Sequence, residues 1–423
     1  MNKKRLNWVI FYTVCLLSVL TGCIDSRQKS VLELAAETEE NYELNEEQQI
    51  LVRNGNDFSI KFFKRIAEEE GEKNVFVSTI GIFYSLNIIN NGALGLTRQE
   101  ICNALNMDTT DVESVNKLCR RLMIGQAKAI EDEFFGSSSY MRNATLFQAG
   151  NRVNTAPSFQ EILQHDYFAN IITGDVNGTQ QQMIDKWCAE QTEGLLSSFP
   201  VKQTDEGSAN LLVANFFNGR WMQAFDKEST KEEPFKGGVS STVNMMNMTD
   251  NEEVFSYAKL DDFSMLRIPY IGGYRLYIIL PDKIDGLTTL LQSLDGEKLR
   301  SAMSQLKSCN HTYVKIPKFE IDYSLNVNSC LASLGVGRMF SNHAELNRIQ
   351  SEPMKIGEIV QKTKVILDED GTRAGAITSI MFATLGLTMN PTEAYFYADH
   401  PFAYIIQDPF DNYCFMGTFW GEP

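Results

Sequence analysis

Three consecutive carboxylates, Asp368-Glu369-Asp370, run into Gly371-Thr372-Arg373-Ala374-Gly375-Ala376-Ile377-Thr378, the most chemically distinctive stretch of this chain. An apolar, strand-like run ending at Leu367 leads into it. Strand-like sequence returns at Phe396-Tyr397-Ala398-Asp399-His400-Pro401-Phe402. A long segment tethered at both ends either carries function or is disordered. This one holds Thr and Ala where a strand could form, so it reads as a loop able to change state. Ordinary catalytic chemistry finds no foothold elsewhere. His165, His311, His343 and His400 are scattered, and no H-E-x-x-H, G-x-S-x-G, Walker or G-x-G-x-x-G pattern occurs. Those spacings bring ligands, or a nucleophile and its base, within reach of one another. No metal, no cofactor and no enzymatic activity are expected, although catalytic residues distant in sequence can also converge.

The remaining reactive side chains point the same way. Cys102, Cys119, Cys188, Cys309, Cys330 and Cys414 form no C-x-x-C pair. They read as buried small apolar residues rather than a disulfide framework. The net charge is −16; residues 1–22 hold Lys3, Lys4 and Arg5 and no acid, so a form without them would carry −19. Such a surface repels nucleic acid and anionic lipid. An apolar fraction of 43% supports a sizeable core. No Pro/Ser-rich linker and no repeat interrupts residues 55–420, so residues 50–423 read as one large domain.

The N-terminus reads as a targeting segment. Lys3-Lys4-Arg5 precedes an apolar run from Leu6 to Leu20, too short for a comfortable membrane span. Leu20-Thr21-Gly22-Cys23 resembles a bacterial lipobox, with Cys23 the lipidated new N-terminus; an ordinary signal peptide with an incidental Cys is the alternative. Residues 1–22 would then be the signal and residues 23–49, polar and acidic with little pattern, a flexible tether. A lipid-anchored protein of the bacterial envelope, periplasmic or at the cell surface, is expected.

The elements around the loop mix helices and antiparallel strands. Asn56-Asp57 offers a cap before Phe58, Phe62 and Ile66. Val75-Phe76-Val77 predicts a short strand, and Ile80 to Leu94 a buried helix stopped at Gly95. Thr97-x-x-Glu100 has the form of a capping box. Ser158 to Tyr167 and Met183 to Leu196 predict further helices. Leu211 to Phe217 predicts a strand buried on both faces. Met265 to Tyr270 and Tyr274 to Leu280 flank Ile271-Gly272-Gly273 as a hairpin. Tyr313 to Ile316, Lys362 to Leu367 and Ala403 to Gln407 are also strand-like. The class is α+β.

These pieces, in this order, resemble a serpin from about residue 50 to 423. The resemblance is carried by Asn74-Val75-Phe76-Val77-Ser78, by Asn91-Gly92-Ala93-Leu94-Gly95-Leu96-Thr97 and by Ile184-Asp185-Lys186-Trp187 through Gly194. Phe217-Asn218-Gly219-Arg220-Trp221 with Phe225, Leu280-Pro281-Asp282 and Pro317-Lys318-Phe319 continue it. Asp368-Glu369-Asp370-Gly371-Thr372, Ala398-Asp399-His400-Pro401-Phe402 and Phe415-Met416-Gly417 complete it. The resemblance implies three β-sheets, eight to nine helices and an exposed reactive loop at about 369–392. It implies a monomeric protease inhibitor acting as a suicide substrate: a protease cuts the loop, which then inserts as a strand of the central sheet and traps the acyl-enzyme.

The residues suit that mechanism. Alternate side chains of a strand face opposite sides. One face would carry Thr372, Ala374, Ala376, Thr378, Ile380 and Phe382, all small or apolar, and Arg373 falls on the other. No Pro appears before Pro391. Similarity sets the hinge at Glu369, Gly371, Thr372, Ala374, Gly375 and Ala376, and the reactive bond at Leu385–Gly386, with Leu387 or Met389 as alternatives. All three are apolar, so the partner expected is a chymotrypsin-like, elastase-like or papain-like protease with apolar primary specificity. Trp221 is expected under the top of the central sheet, and Lys318 beside Glu369.

Departures fall at the shutter, the polar cluster where the strands must part. Ser78 is followed by Thr79 instead of Pro, the family's His aligns with Gln361, and its Asn falls on Val213, with Asn215 two residues on. These changes motivate an alternative, a non-inhibitory serpin acting as carrier or interaction protein.

Overall fold

The continuous apolar run at Leu211 to Phe217 forms the middle of the long strand Ser208–Arg220, buried over nearly its whole length. In the computed structural model, the residues described are 29–37, 43–108, 111–129, 131–132, 136–174, 178–201, 205–250, 254–372 and 393–421. Ala374, Gly375, Ala376, Leu385, Gly386, Leu387, Met389 and Cys23 lie outside them. Three sheets dominate, of six, seven and four strands, with a two-stranded ribbon beside them. Ten α-helices occur among the described residues, against the eight to nine expected. One of the additional helices, Val31–Glu37, lies in the segment read as tether and buries Ala35.

The body also begins earlier than the pattern suggested. The first long helix is Glu46–Glu70, opened by a capping box in which Asn45 and Gln48 satisfy each other's backbone N–H. Asn56, read as a cap, therefore sits in mid-helix. Its side chain donates to the Asp411 carbonyl and accepts from Tyr413 N–H, so a polar residue there serves tertiary structure. Thr97 and Glu100 likewise do not form a capping box. Their helix, Gly95–Ala104, starts two residues earlier, and its first N–H groups are met by Glu345. Thr97 Oγ1 accepts from Glu345 N–H, and Glu100 accepts from Gly337 and Arg338. The preceding helix, Thr79–Gly92, is buried throughout and stops at Gly92.

The six-stranded central sheet runs Phe319–Asn326, Lys355–Asp368, Gly371–Thr372, Ser208–Arg220, Tyr140–Ala149, Asn170–Thr173. Its layer partner is the seven-stranded sheet, which contains the hairpin Phe263–Pro269 and Arg275–Pro281 and ends at Val75–Ser78. Aromatic residues fill the space between: Phe76 stacks on Phe415 at 5.0 Å and Phe319 on Phe419 at 4.6 Å. The four-stranded sheet orders Glu393–Tyr397, His311–Pro317, Thr242–Asp250 and Lys231–Pro234.

Candidate functional site

The decisive geometry lies between two strands. Lys355–Asp368 and Ser208–Arg220 pair in parallel from Lys355↔Ser208 up to Thr363↔Asn215, with a bulge between Ile356 and Ile359. Above that point they part. The chain turns back after Asp370, and Gly371–Thr372 enters the gap from the top as a short antiparallel strand. Thr372 pairs with Leu367 on one side and Gly219 on the other, and Gly371 with Asp368 and Arg220. The beginning of the loop already occupies the position of a sixth central strand. Gly371 has φ +153°, and a Cβ there would collide with the Gly219 carbonyl oxygen, so only glycine fits.

Thr372 is buried, and its hydroxyl meets the Tyr270 hydroxyl at 2.6 Å. Trp221 stacks on the same ring at 4.3 Å and 13° and donates its indole N–H to the Asp368 carbonyl at 2.9 Å. The turn is held from outside as well. Lys318 Nζ lies 2.7 Å from Glu369 Oε2, and Thr230 donates to Glu369 Oε1 at 2.8 Å. Burial alone would raise the Glu369 carboxyl, but the bonds from Lys318, its own backbone and Thr230 hold it below the usual carboxylate range. Asp368 is the opposite case: burial raises its carboxyl despite bonds from Asp370 and Gly371 N–H. Asp370 pairs with Lys227 at 2.6 Å. Glu369, Gly371, Thr372, Trp221 and Lys318 are thus one assembly around the entry of the gap.

Ser78 and Gln361 meet lower down. The Gln361 side chain accepts from Ser78 N–H at 2.9 Å and donates to Ser78 C=O at 2.7 Å. One amide satisfies both backbone groups of a fully buried residue, a bidentate match that an imidazole cannot make. Thr363 adds a bond to Phe76 C=O at 2.6 Å. Val213, where an Asn was expected, is buried opposite Gln361. Asn215, on the same face as Val213, reaches to the neighbouring strand instead, donating to Asn143 at 2.8 Å, and Asn143 donates to Gln126 at 2.6 Å. Asn215 Oδ1 has no hydrogen-bond partner among the described residues, and Gly81 is required beside it, because a Cβ there would strike that oxygen. Sequence reading missed the residues that receive the hinge, Tyr270 above all. It ends a strand and looks like ordinary core.

The family model for Serpin (serine protease inhibitor) matches residues 53–421. The chain belongs to the serpin family. A leukocyte elastase inhibitor of Equus caballus is 27% identical over 378 residues, covering 86% of this chain and 97% of that protein. Serine proteinase inhibitor 2 of Variola virus is 26% identical, covering 84% and 97%. Among solved structures, tengpin, a thermophilic serpin in its native state, superposes with a TM-score of 0.77 at 23% identity, covering 92% of this chain and 99% of its own. Human thyroxine-binding globulin complexed with thyroxine gives 0.76 at 18%, covering 88% and 99%. These superpositions establish the serpin fold. No group of His, Cys, Asp and Glu among the described residues is arranged to hold a metal ion.

Proposed function

We propose that this serpin inhibits proteases as a suicide substrate. The observation that carries the reading is the Gly371–Thr372 segment seated between two strands that are still paired below it. A protease would attack the Leu385 carbonyl and break the Leu385–Gly386 amide. The amine leaves on the Gly386 side, and the enzyme remains acylated. Freed at that end, residues 373–384 would follow Thr372 into the sheet. Thr372 faces inward, so Ala374, Ala376, Thr378, Ile380 and Phe382 would follow on the buried side. Relatives named for inhibition of leukocyte elastase and of serine proteinases support the same activity. The apolar residues at 385, 387 and 389 favour an enzyme with an apolar primary pocket. Mixing with chymotrypsin, elastase and papain tests this: a denaturant-resistant complex and a cut after Leu385 are expected. Clean cleavage without complex would instead assign the carrier reading.

Lipid anchoring at Cys23, through the Lys3-Lys4-Arg5 leader and the Leu20-Thr21-Gly22-Cys23 sequence, is proposed with it. No helix among the described residues is long and apolar enough to cross a membrane. Labelled fatty acid should enter the wild-type chain and not Cys23→Ala; equal labelling refutes it.

A further inference from the structure

Three tyrosines stand together on the outer face of the four-stranded sheet, on and beside the strand that follows the loop. In Glu393–Tyr397 burial alternates: Ala394 and Phe396 are buried, and Glu393, Tyr395 and Tyr397 are exposed. The register sets Tyr395 beside Tyr313, and Tyr397 beside Lys315. Tyr313 and Tyr395 stack at 4.8 Å and 10°, and Tyr397 meets Tyr395 edge-on at 6.2 Å and 79°. Tyr395 is 54% exposed and Tyr397 40%. Single exposed aromatics need no explanation, but a contiguous set does, because folding gains little from them there.

The chemistry of this ladder suits a cation. Ring faces attract ammonium and guanidinium groups. Lys315 already shows this from within, its Nζ lying 5.5 Å from the Tyr397 ring centre while paired to Glu233 at 2.7 Å. With Lys315 thus matched, Glu393, which accepts from the Tyr395 hydroxyl at 2.8 Å, adds a carboxylate at the edge. The whole chain carries −16, so a basic partner is drawn to it.

We infer that this ladder is a second contact surface for the target protease, receiving an arginine or lysine side chain from the rim beside the enzyme's active site. The inference rests on the inhibitor reading above. Position supports it. The bond at Leu385 and the strand start at Glu393 are eight residues apart in sequence, a leash of at most about 28 Å. An enzyme gripping that bond is held close to the ladder.

The test uses chymotrypsin and elastase whose catalytic serine is replaced by alanine, so that binding is read without trapping. The full chain and the Tyr395→Ser/Tyr397→Ser variant are compared by surface plasmon resonance at two salt concentrations. Both residues are exposed, so the fold should persist, which unchanged melting verifies. Expected are about a tenfold weaker Kd, read in the off-rate, and an unchanged salt dependence of the on-rate, since no charge is removed, with affinity regained in Tyr395→Phe/Tyr397→Phe. An unchanged Kd for both enzymes overturns the proposal, as does no measurable binding by the wild-type chain. A wild-type dimer abolished by the double variant would give the surface to a second copy and also overturn it. Failure of the wild-type chain to trap active enzyme would instead remove the inhibitor reading, which this comparison of affinities does not use.

Discussion

On the proposed mechanism, placing a carboxylate at Thr372 should turn trapping into simple cleavage of the chain, and lowering the pH should reverse the change. Thr372 is 2% exposed, and its hydroxyl meets that of Tyr270, the ring on which Trp221 stacks. Thr372→Asp barely changes volume, so charge is the perturbation. A buried carboxylate without a partner neutralises instead of remaining ionised. Protonating a group of ordinary pKa near 3.9 costs about 4 kcal/mol at pH 7 and about 1.5 kcal/mol at pH 5. The alternative is for Gly371–Thr372 to leave the sheet, forfeiting hydrogen bonds worth about 0.5–1.5 kcal/mol each. That is the cheaper course at pH 7, so the hinge should withdraw.

In the proposed mechanism, trapping is a race between loop insertion and hydrolysis of the acyl-enzyme. A penalty of about 4 kcal/mol slows insertion roughly 1,000-fold, and one of 1.5 kcal/mol roughly tenfold. The number of inhibitor molecules consumed per enzyme inactivated, titrated with a papain-like protease at both pH values, should rise far above one at pH 7. It should fall back towards the wild-type value at pH 5. Thr372→Asn, of the same shape and uncharged, should stay near wild type at both. If Thr372→Asp inactivates enzyme one for one at pH 7, Thr372 is not the residue that leads insertion.

Four further outcomes are expected. Cleavage at Leu385 should raise the melting temperature markedly, because the proposed mechanism requires the intact fold to be a long-lived state with a more stable alternative; equal calorimetric midpoints would contradict this. Gln361→Ala leaves Ser78 N–H and C=O buried without partners, which should lower unfolding free energy by about 2–4 kcal/mol in denaturant titrations, whereas a loss below 0.5 would show the clamp to be idle. Lys318→Ala should cost about 1–3 kcal/mol, since it leaves the Glu369 carboxylate, 5% exposed, without its cation; because Glu369 is depressed in the fold, that contribution holds above the unfolded pKa and vanishes as pH falls through the lower folded value. Asp408 acts oppositely: burial raises it to about 6 despite bonds from Gln126, Asn412 and Phe410. The fold therefore binds its proton more tightly than the unfolded chain, so stability should drop by about 2–3 kcal/mol as pH rises from about 4 to 6, and Asp408→Asn should flatten that step in pH-resolved melting curves.

Elements whose burial is set by their own composition were legible. Leu211 to Phe217, Ile80 to Leu94 and the Ile271-Gly272-Gly273 hairpin declare themselves by apolar run length or turn chemistry alone. Polar residues were misread when local and tertiary partners compete for the same atoms. Asn56 and the Thr97/Glu100 pair match capping patterns, yet their hydrogen bonds go to segments hundreds of residues away. Gln361 illustrates the same point at the shutter. By residue type it is a lost histidine; in the structure its amide is the tie between two sheets. The early seating of Gly371–Thr372 was not legible either, since it depends on how far two strands diverge, which no local pattern encodes.

The side-chain ties around the gap explain which part of the molecule must move. On one side, Gln361 and Thr363 bind Lys355–Asp368 to the backbone of Ser78 and Phe76 in the seven-stranded sheet. On the other, Asn215 binds Ser208–Arg220 to Asn143, and through it to Gln126. Each strand is thus fastened to its own neighbour, and the seven residue pairs between Lys355↔Ser208 and Thr363↔Asn215 lie on the line of separation. A strand entering from Thr372 would break that single ladder and form two in its place, one on each flank. The gain in backbone pairing is therefore built into the topology, and it accrues only after the lower pairs have opened. Asn210 accepts from Glu358 N–H across the line at its lower end, at 2.9 Å. It spans the bulge between Ile356 and Ile359, and below it only Ile356↔Ala209 and Lys355↔Ser208 remain to be opened. Thr372 can therefore be seated while the loop behind it waits for a cut: the upper gap is already open, and the cost of the lower one is met only when a freed strand can fill it.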